Sequence, residues 1–331
     1  MAEYGPLLAA GGIALLIAAG GTGILCKLLA GKGILDIPNQ RSSHQDAKPR
    51  GGGIALLAAI VAGLVYLYVA GQPLPPELVP AVIIALVLAV ISWVDDVRGL
   101  SPLVRLVPQI ICIGVMLYFM PLLDLPILNN MPVWLQHFLL ALAWLWFINL
   151  YNFMDGIDGI TGVETLVITL GILAIALTTG GLNHLQGAAL VIAAAACGFL
   201  FWNWSPARIF MGDVGSIPLG FLLGWLLFET AAAGYVLAAL ILPGYYLADA
   251  TVTLLSRLMR GEKIWRAHRE HAYQTAVQNG LGHAGVSIRV GACGVVLIGI
   301  GIISNAEPWP AAAGACIVVF FFLRHLRQTS P

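Results

Sequence analysis

Acidic and amide side chains are concentrated in two short segments of this sequence. Asp95 and Asp96 are adjacent, and the segment from Asn149 to Asp158 reads Asn-Leu-Tyr-Asn-Phe-Met-Asp-Gly-Ile-Asp. Neighbouring carboxylates repel each other and therefore favour a nearby cation. Carboxylate and amide oxygens suit Mg²⁺, which binds one or two carboxylates together with substrate phosphates. The alternative for the first pair is a solvated helix end that Arg98 balances.

The second segment repeats its polar groups at a spacing of three residues. The groups are Asn149, Asn152, Asp155 and Asp158. If the segment is helical, this spacing predicts that they share one face. An aspartate at a helix N-terminus can also be a simple cap. Because capping does not account for so many polar groups in so short a segment, we favour a binding site.

A third polar segment runs from Asn203 to Ser216 and contains the motif Phe210-Met-Gly-Asp213-Val-Gly. Glycines beside Asp213 allow the backbone to approach a ligand closely. A helix that begins at this point favours anions at its N-terminus. Phe210 either stacks on a nucleotide base or packs at the membrane interface. The segment therefore predicts a further contribution to an anion site.

Basic side chains and histidines mark two more segments. They are Arg41, His44, Lys48 and Arg50 before a triple glycine, and His268, Arg269 and His271 later in the chain. Basic groups beside glycines suit phosphate binding, although the usual excess of Lys and Arg on the cytoplasmic side of membrane proteins also explains them. A lone His-x-x-His pair is a weak metal pattern, so we predict phosphate binding or proton transfer for the histidines.

Long apolar segments separate these motifs and must position them. Of the 331 residues, 60% are apolar and 10% are charged, whereas soluble domains average about a quarter charged residues. The apolar runs contain all five cysteines, which argues against a disulfide framework or a zinc site. We predict an all-α polytopic membrane protein in which residues 1–331 form a single integral-membrane domain. About eleven transmembrane helices are predicted, at residues 5–27, 53–71, 77–94, 103–121, 133–150, 160–179, 184–202, 215–230, 234–256, 284–304 and 308–324.

The distribution of basic residues predicts the orientation of the chain. When loops are assigned alternately from an outside N-terminus, all sixteen Lys and Arg residues fall in or beside the inside loops. Cytoplasmic loops of membrane proteins carry this excess. We therefore predict a cytoplasmic C-terminus and a site that faces the cytoplasm, as in a bacterial inner (plasma) membrane protein.

Taken together, the inside-loop motifs resemble those of the polyprenyl-phosphate N-acetylhexosamine-1-phosphate transferases. This family includes bacterial enzymes that begin O-antigen synthesis and the translocase that makes the first lipid intermediate of peptidoglycan. The resemblance covers most of the chain, because five motifs occur in the family's order. The most specific part is Asn-x-x-Asn-x-x-Asp-Gly-x-Asp-Gly, followed by Phe-Met-Gly-Asp-x-Gly-Ser and a histidine loop.

The resemblance implies that the chain transfers a HexNAc-1-phosphate from a UDP-sugar to undecaprenyl phosphate and releases UMP. It also implies roles for the matching residues. Asp95 and Asp96 match an acidic pair whose first member is the proposed base, and Asp213 matches the Mg²⁺ ligand, with Asp155 as a second candidate and Mn²⁺ as an alternative ion. Asn152, Asp155 and Asp158 match the loop that binds the nucleotide and the diphosphate. Asn203 and Phe210 match uridine contacts, and His271 matches a histidine of the last inside loop. The implied partners are undecaprenyl phosphate, a UDP-N-acetylhexosamine and the lipid bilayer, without nucleic acid, and a homodimer is left open.

The last inside loop departs from the better-known branches of the family. Those branches have clustered histidines, whereas this chain reads His271-Ala-Tyr273-Gln274. The sequence here resembles a subgroup that initiates O-antigen or other surface polysaccharides with donors such as UDP-N-acetylfucosamine, UDP-N-acetylquinovosamine or UDP-N-acetylglucosamine. The resemblance therefore favours these donors over the peptidoglycan precursor.

Two other classes of protein remain as alternatives. A secondary transporter binds its substrate near the bilayer midplane on broken helices within repeated halves. Asp249, just after Pro243-Gly244, is such a feature, but the chain contains no sequence repeat. A CDP-alcohol phosphotransferase requires Ala-Arg three residues after an Asp-Gly pair, and this pattern is missing. The transferase is therefore the preferred interpretation.

Overall fold

The computed structural model describes residues 4–38, 46–120, 130–263 and 268–329. These residues are mostly helical. The helices are α1 (Gly5–Gly31), α2 (Gly53–Val69), α3 (Leu78–Arg98), α4 (Pro102–Phe119), α5 (Val133–Phe153), α6 (Ile160–Thr179), α7 (Gln186–Asn203), α8 (Asp213–Ala232), α9 (Val236–Ile241), α10 (Gly244–Met259), α11 (Ala272–Gln278), α12 (His283–Ile303) and α13 (Pro308–Gln328). A short antiparallel hairpin joins β1 (Leu35–Asp36) to β2 (Lys48–Pro49).

Nine helices in the described part of the chain are long and apolar enough to cross a membrane. They are α1, α3, α4, α5, α6, α7 with the 3₁₀ turn before it, α8, α12 and α13. Hydrocarbon offers no hydrogen-bond partners to the backbone, and in a helix the backbone groups bind each other. The prediction of an all-α polytopic membrane protein is therefore confirmed, while the count of eleven spans and the orientation stay predictions.

The span predicted at residues 234–256 is interrupted in the structure. It consists of α9 and α10, which are separated by a turn at Leu242 and Pro243. Proline has no backbone N–H and clashes with the preceding helical turn, so a helix commonly breaks at this residue. The prediction of one continuous helix over these residues was wrong.

Helix α8 is the centre of the bundle. In its membrane-length window 89% of the residues are buried, compared with 28% in α1, α4 and α13. The ring of Trp144 on α5 stacks on Phe221 of α8 at a centroid distance of 4.9 Å, and its indole N–H donates to the Phe221 carbonyl at 3.3 Å. Because α8 begins at Asp213, the most deeply packed helix of the described residues determines the position of this carboxylate.

Backbone contacts hold the loop before α2 against the loop before α8. The N–H groups of Gly51 and Gly52 donate to the Phe210 carbonyl, and the N–H of Gly53 donates to the Met211 carbonyl, at 2.9–3.1 Å. A Cβ on Gly53 would overlap the Cα of Gly215, so the two helices approach as closely as backbones can. The triple glycine therefore binds protein carbonyls, and phosphate binding by the basic side chains beside it stays a prediction.

Candidate active site

The ends of several helices surround one polar cavity of about 270 Å³. Its walls come from segments that are far apart in the sequence. The polar lining residues are Asp36 of β1 and Arg50 after β2, Asn152 at the end of α5, Asp155 and Asp158 in the loop that follows, Asn203 and Asp213 around the third motif, and Tyr273, Gln274 and His283 from the last part of the chain. The structure thus brings together acidic and amide groups from separate sequence motifs.

Asp213 lies at the first position of α8 and is the most connected carboxylate of the cavity. Its Oδ1 accepts hydrogen bonds from Arg50 at 2.7 Å and from Asn152 at 3.2 Å. Its Oδ2 accepts a hydrogen bond from Arg105 at 3.4 Å. A carboxylate is stabilised at a helix N-terminus, where unpaired N–H groups create a positive potential. Asp213 is therefore held as an anion between two guanidinium groups.

Asp96 stabilises the beginning of the same helix. Its two oxygens accept hydrogen bonds from the backbone N–H groups of Asp213 and Val214 at 3.0 and 2.9 Å. Arg50 forms a further ion pair with Asp96 at 2.8 Å, and the Asp96 side chain is 1% exposed. Asp96 therefore caps α8 from a neighbouring helix. Its predicted catalytic role stays a prediction, and its contacts favour positioning of Asp213.

Asp95 lies on the other side of the acidic pair, outside the lining of the main cavity. Its Oδ1 accepts a hydrogen bond from the Leu100 N–H at 2.6 Å, and its Oδ2 accepts one from Arg105 at 3.1 Å. A narrow second cavity between α3, α4 and α8 is lined by Asp95, Arg105 and Gln109. Since Arg105 also contacts Asp213, one arginine links the proposed base to the carboxylate at the start of α8.

The segment after α5 is a loop, not the continued helix that would place all its polar groups on one face. Asn152 is on the last turn of α5 and donates to Asp213 and to Ser216. Asp155 follows in the loop, where its Oδ1 accepts a hydrogen bond from the Thr161 hydroxyl at 2.7 Å. Burial and the charge of Asp213 raise the pKa of Asp155 to about 6. The two carboxylates therefore repel each other inside the cavity.

Asp158 lies further along the same loop and also lines the cavity. Its Oδ2 accepts a hydrogen bond from the Ala207 N–H at 3.0 Å and lies 3.3 Å from Nδ1 of His283. Burial alone would favour the neutral acid, but the hydrogen bonds from His283 and Ala207 outweigh it and lower the pKa of Asp158. His283 reaches the cavity from the first turn of α12, and no motif in the sequence around it indicates this position.

Asn203 and Phe210, the predicted uridine contacts, both line the cavity. The Asn203 amide donates to the Ile209 carbonyl and accepts from the Gly159 N–H, each at 3.0 Å, so it joins two loops. The ammonium group of Lys48 lies 5.5 Å from the centre of the Phe210 ring, a cation–π distance. The contacts of Asn203 favour a role in shaping the cavity, and a direct uridine contact stays a prediction.

Several predicted residues lie elsewhere. Asn149 donates to Gln109 and to the Leu145 carbonyl, outside the lining of the main cavity. His268, Arg269 and His271 are also outside this lining, and Arg269 faces a separate cavity with Arg260, Glu270 and Arg327. Arg41 and His44 lie outside the described residues. The roles predicted for Asn149, His268, Arg269 and His271 are therefore not supported by a position in the cavity, and those of Arg41 and His44 stay predictions.

A divalent cation at the acidic end of the cavity stays a prediction. Among the described residues no group of three or more His, Cys, Asp or Glu side chains is arranged to hold a metal ion. Mg²⁺ commonly binds one or two carboxylates and completes its coordination with phosphate oxygens and water. Asp155 and Asp213 line the same cavity and are the carboxylates that would hold it.

The chain is similar to proteins that transfer sugar phosphates. Residues 78–231 match the model of glycosyl transferase family 4. The chain is 28% identical to a probable undecaprenyl-phosphate N-acetylglucosaminyl 1-phosphate transferase of Bacillus subtilis, over 76% of this chain and 72% of the relative. It is 27% identical to a decaprenyl-phosphate N-acetylglucosaminephosphotransferase of Mycobacterium tuberculosis, over 91% and 79%.

A third relative represents the peptidoglycan branch. The chain is 30% identical to a phospho-N-acetylmuramoyl-pentapeptide-transferase of Picosynechococcus, over 69% of this chain and 64% of the relative. The matched region contains the acidic pair, the aspartate loop and Asp213. Its motifs, its apolar helices and these similarities agree: residues 78–231 of the chain match glycosyl transferase family 4, and the relatives are those that the resemblance of its loops predicted.

Proposed function

We propose that this protein transfers a HexNAc-1-phosphate from a UDP-sugar to undecaprenyl phosphate and releases UMP. The observation that supports this proposal most directly is the cavity that Arg50, Asp155 and Asp213 line from three separate segments. The names of the relatives support a polyprenyl phosphate acceptor and an N-acetylglucosamine phosphate group. We further propose that the reaction occurs at the cytoplasmic face of a bacterial inner membrane and begins a surface polysaccharide such as O-antigen.

The reaction joins two phosphates. An oxygen of the lipid phosphate attacks the sugar-linked phosphorus of the donor, and the bond from that phosphorus to the oxygen of the UMP phosphate breaks. Both substrates are anions, so the protein must offset their repulsion and the charge that moves to the leaving phosphate. Arg50 lines the cavity and Arg105 lies beside it, and both are paired with Asp213 in the free protein. These guanidinium groups are the candidates that bind the donor diphosphate and the attacking phosphate.

Asp213 and Asp155 would hold Mg²⁺ or Mn²⁺, which supplies charge neutralisation at a diphosphate when it is bound. Asp95 would accept the proton of the lipid phosphate, a role implied by its match to the first member of the acidic pair, and Arg105 beside it would hold that phosphate. Asp96 would keep the N-terminus of α8, and therefore Asp213, in place. Asn152 would keep the Asp213 carboxylate oriented through its hydrogen bond.

A secondary transporter is the alternative, and Asp249 is the observation that favours it. This carboxylate is fully buried in α10, just after the break at Pro243. However, its oxygens accept hydrogen bonds from Tyr245, Thr253 and the Ala272 N–H. A carboxylate with these partners is explained by the structure of the protein, so the transferase is the better proposal.

The proposed reaction can be tested with purified protein, undecaprenyl phosphate and a panel of UDP-N-acetylhexosamines. We expect release of UMP and formation of a lipid diphosphate sugar only when Mg²⁺ or Mn²⁺ is present. Asp213→Asn should reduce turnover by at least about a hundredfold, a typical loss when charge stabilisation at a transferring group is removed. Its thermal stability should remain close to that of the wild type, because the asparagine keeps an acceptor for Arg50.

Asp46→Asn is the matched control, since it removes the same charge from an exposed position outside the cavity lining. It should keep wild-type turnover. Full activity of the wild type in excess chelator would contradict the metal assignment. Uptake of a solute into proteoliposomes without acceptor lipid, in the absence of UMP release, would support the transporter instead.

A further inference from the structure

Helix α10 has a buried polar stripe that no part of the reaction uses. The stripe consists of Asp249, Thr253 and Arg257, which are 0%, 2% and 4% exposed. Residues four positions apart lie on the same face of a helix. Polar groups in a membrane-embedded segment are costly and mark a function or a set of satisfied contacts. The stripe therefore requires an explanation in terms of the groups that it faces.

Each residue of the stripe contacts the chain that follows α10. Asp249 accepts a hydrogen bond from the Ala272 N–H at 2.8 Å. Thr253 accepts one from Arg327 of α13 at 3.3 Å. Arg257 pairs with Glu262 at 2.9 Å and with Glu270 at 3.4 Å. The stripe thus holds both sides of the last inside loop and the end of the final helix.

The contact of Asp249 is made to a helix that cannot be stable by itself. Helix α11 has seven residues, and isolated helices shorter than about 12 residues are marginal in water. The Gln274 side chain accepts a hydrogen bond from the His271 N–H at 3.4 Å, as part of a capping box. The next N–H group, that of Ala272, is bound by the carboxylate of Asp249 from another helix, and an anion at a helix N-terminus is favourable.

Helix α11 in turn forms one wall of the cavity. Tyr273 and Gln274 both line it. The Tyr273 hydroxyl donates to the Phe153 carbonyl at 3.2 Å, at the end of α5. A Cβ on Gly156 would overlap this hydroxyl, so the aspartate loop is packed directly against Tyr273. A shift of α11 would therefore change the cavity beside Asp155.

We propose that Asp249 is a positioning residue of the site. Its carboxylate caps α11 and thereby fixes Tyr273 and Gln274 against the loop that carries Asp155 and Asp158. In this role Asp249 acts as a hydrogen-bond acceptor, and the rest of its oxygens are occupied by Tyr245 and Thr253. It neither binds substrate nor transfers protons.

The first test compares two substitutions by hydrogen exchange, which needs no substrate. Asp249→Ala should raise amide exchange of residues 273–277 about tenfold, as expected for the loss of a helix cap. Asp249→Asn should stay within about threefold of the wild type, because asparagine caps helices as well as aspartate does. Thr251→Val is the control on the same helix, because Thr251 instead accepts a hydrogen bond from Trp146 of α5.

The second test removes the hydrogen-bond donor. Ala272→Pro deletes the N–H that Asp249 binds, and proline is tolerated at the first position of a helix. The backbone of His271 is extended, with ψ of 149°, which is the conformation that a following proline requires. The effects of Asp249→Ala and Ala272→Pro on exchange should be strongly non-additive in the double variant, because both remove one contact.

A kinetic test rests on the proposed function and is read separately. Asp249→Ala should raise the KM for the nucleotide sugar more than it lowers kcat, because the cavity wall moves while the arginine–aspartate cluster stays in place. Asp249→Asn should restore the wild-type KM. The proposal would be overturned if Asp249→Asn were as inactive as Asp249→Ala while the amides of α11 stayed protected from exchange. It would also be overturned if the effects of Asp249→Ala and Ala272→Pro on exchange were additive. Failure of the wild type to release UMP would instead reject the proposed function and leave the exchange results to decide.

Discussion

Arginine side chains connect the acidic residues of the site. Arg50 bridges Asp96 and Asp213, and Arg105 bridges Asp95 and Asp213. The acids and Arg50 could be predicted from their motifs, because each lies in a short segment rich in polar residues. Arg105 could not, since its role depends on the turn at Gly99 and Leu100 that folds the start of α4 back onto α3. The cations paired with the acidic pair are Arg50 and Arg105, whereas the alternative interpretation of a solvated helix end gave this role to Arg98.

His268 shows why a basic loop does not always bind phosphate. Its Nδ1 accepts a hydrogen bond from the Glu270 N–H at 3.4 Å, which requires a neutral ring. Burial, followed by the charges of His271 and Arg257, lowers the pKa of His268 to about 4, against weaker opposing effects of Glu270 and Glu262. A neutral imidazole outside the cavity lining does not favour the phosphate-binding role of His268, which stays a prediction.

The lowered pKa of His268 predicts how stability depends on pH. A histidine with a pKa of about 4 in the folded protein and about 6.5 in the unfolded chain makes the unfolded chain bind more protons between these values. Its contribution to stability is therefore complete above about pH 6.5 and is lost as the pH falls toward 4. Thermal unfolding in detergent from pH 7.5 to 5 should show a smaller loss of stability for His268→Asn than for the wild type.

His325→Asn serves as the control for this measurement, because it removes an exposed histidine at the end of α13. Its pH dependence should match that of the wild type. His268→Asn should also keep wild-type turnover at pH 7.5. A large loss of turnover in this variant would restore the substrate-binding role predicted for His268.

The contact between α2 and α8 determines how two loops share the site. Gly53 and Gly215 allow the two helix N-termini to touch, and the loops before them are joined by the backbone bonds to Phe210 and Met211. Arg50 and Asp213 are the side chains that this contact brings within 2.7 Å. The packing of two glycines is therefore required for the ion pair at the centre of the cavity.

Substitution of one of these glycines should weaken both packing and activity. In Gly215→Ala the added methyl group overlaps Met211 and Gly53, and overpacking of this kind costs about 1–3 kcal/mol. We expect a lower unfolding temperature in detergent and reduced release of UMP. Gly12→Ala is the control, because a Cβ at Gly12 on α1 meets nothing within 4 Å. Equal stability of the two variants would show that the helices can separate without consequence.

Most helices could be predicted from hydropathy, because a bilayer imposes a minimum length on each apolar run. One element was predicted incorrectly for a local reason, because Pro243 divides the predicted ninth span into α9 and α10. The common face considered for residues 149–158 required a helix, and glycines at positions 156 and 159 lie in a loop after Met154. The seven residues of α11 are too few to give a helical hydrophobic pattern, and its N-terminus has a capping box and a contact with Asp249.

At the scale of the whole molecule, the segments predicted to lie on one side of the membrane meet at one end of the bundle. The C-terminal ends of α5 and α7, the N-terminal ends of α8 and α12, helix α11 and the segment before α2 surround the same cavity. The C-terminal end of α3 lies beside it, where Asp96 binds the N-terminus of α8. The positive-inside distribution predicts this arrangement in outline, because it assigns all the polar motifs to one side. It cannot predict distances, which depend on the packing of the helices.

The orientation can be tested with single cysteines and a membrane-impermeant maleimide. We expect Gln72→Cys and Ala306→Cys to react in intact cells, since eleven crossings from an outside N-terminus place them outside. Ser101→Cys and Gln278→Cys should react only after permeabilisation. The five native cysteines must first be replaced, because Cys197 and Cys316 are exposed.

The same experiment tests the number of crossings. If Ala306→Cys reacted only after permeabilisation while Gln72→Cys reacted in intact cells, the interrupted region formed by α9 and α10 would not complete a crossing. Labelling of Ser101→Cys in intact cells would place the acidic pair on the outer side. That result would be incompatible with a cytoplasmic nucleotide sugar.

Arg105 belongs to a helix whose neighbouring side chains are strongly exposed and apolar, including Leu103 at 71%, Val104 at 51% and Val107 at 51%. Such a surface is suited to hydrocarbon, whereas the main cavity is polar. Asp213 lies between the two environments, with Arg50 on the aqueous side and Arg105 on the side of α4. A water-soluble donor would thus enter from the aqueous phase and a lipid acceptor from the bilayer. The isoprenoid tail of the acceptor could then stay in the bilayer while its phosphate reacts.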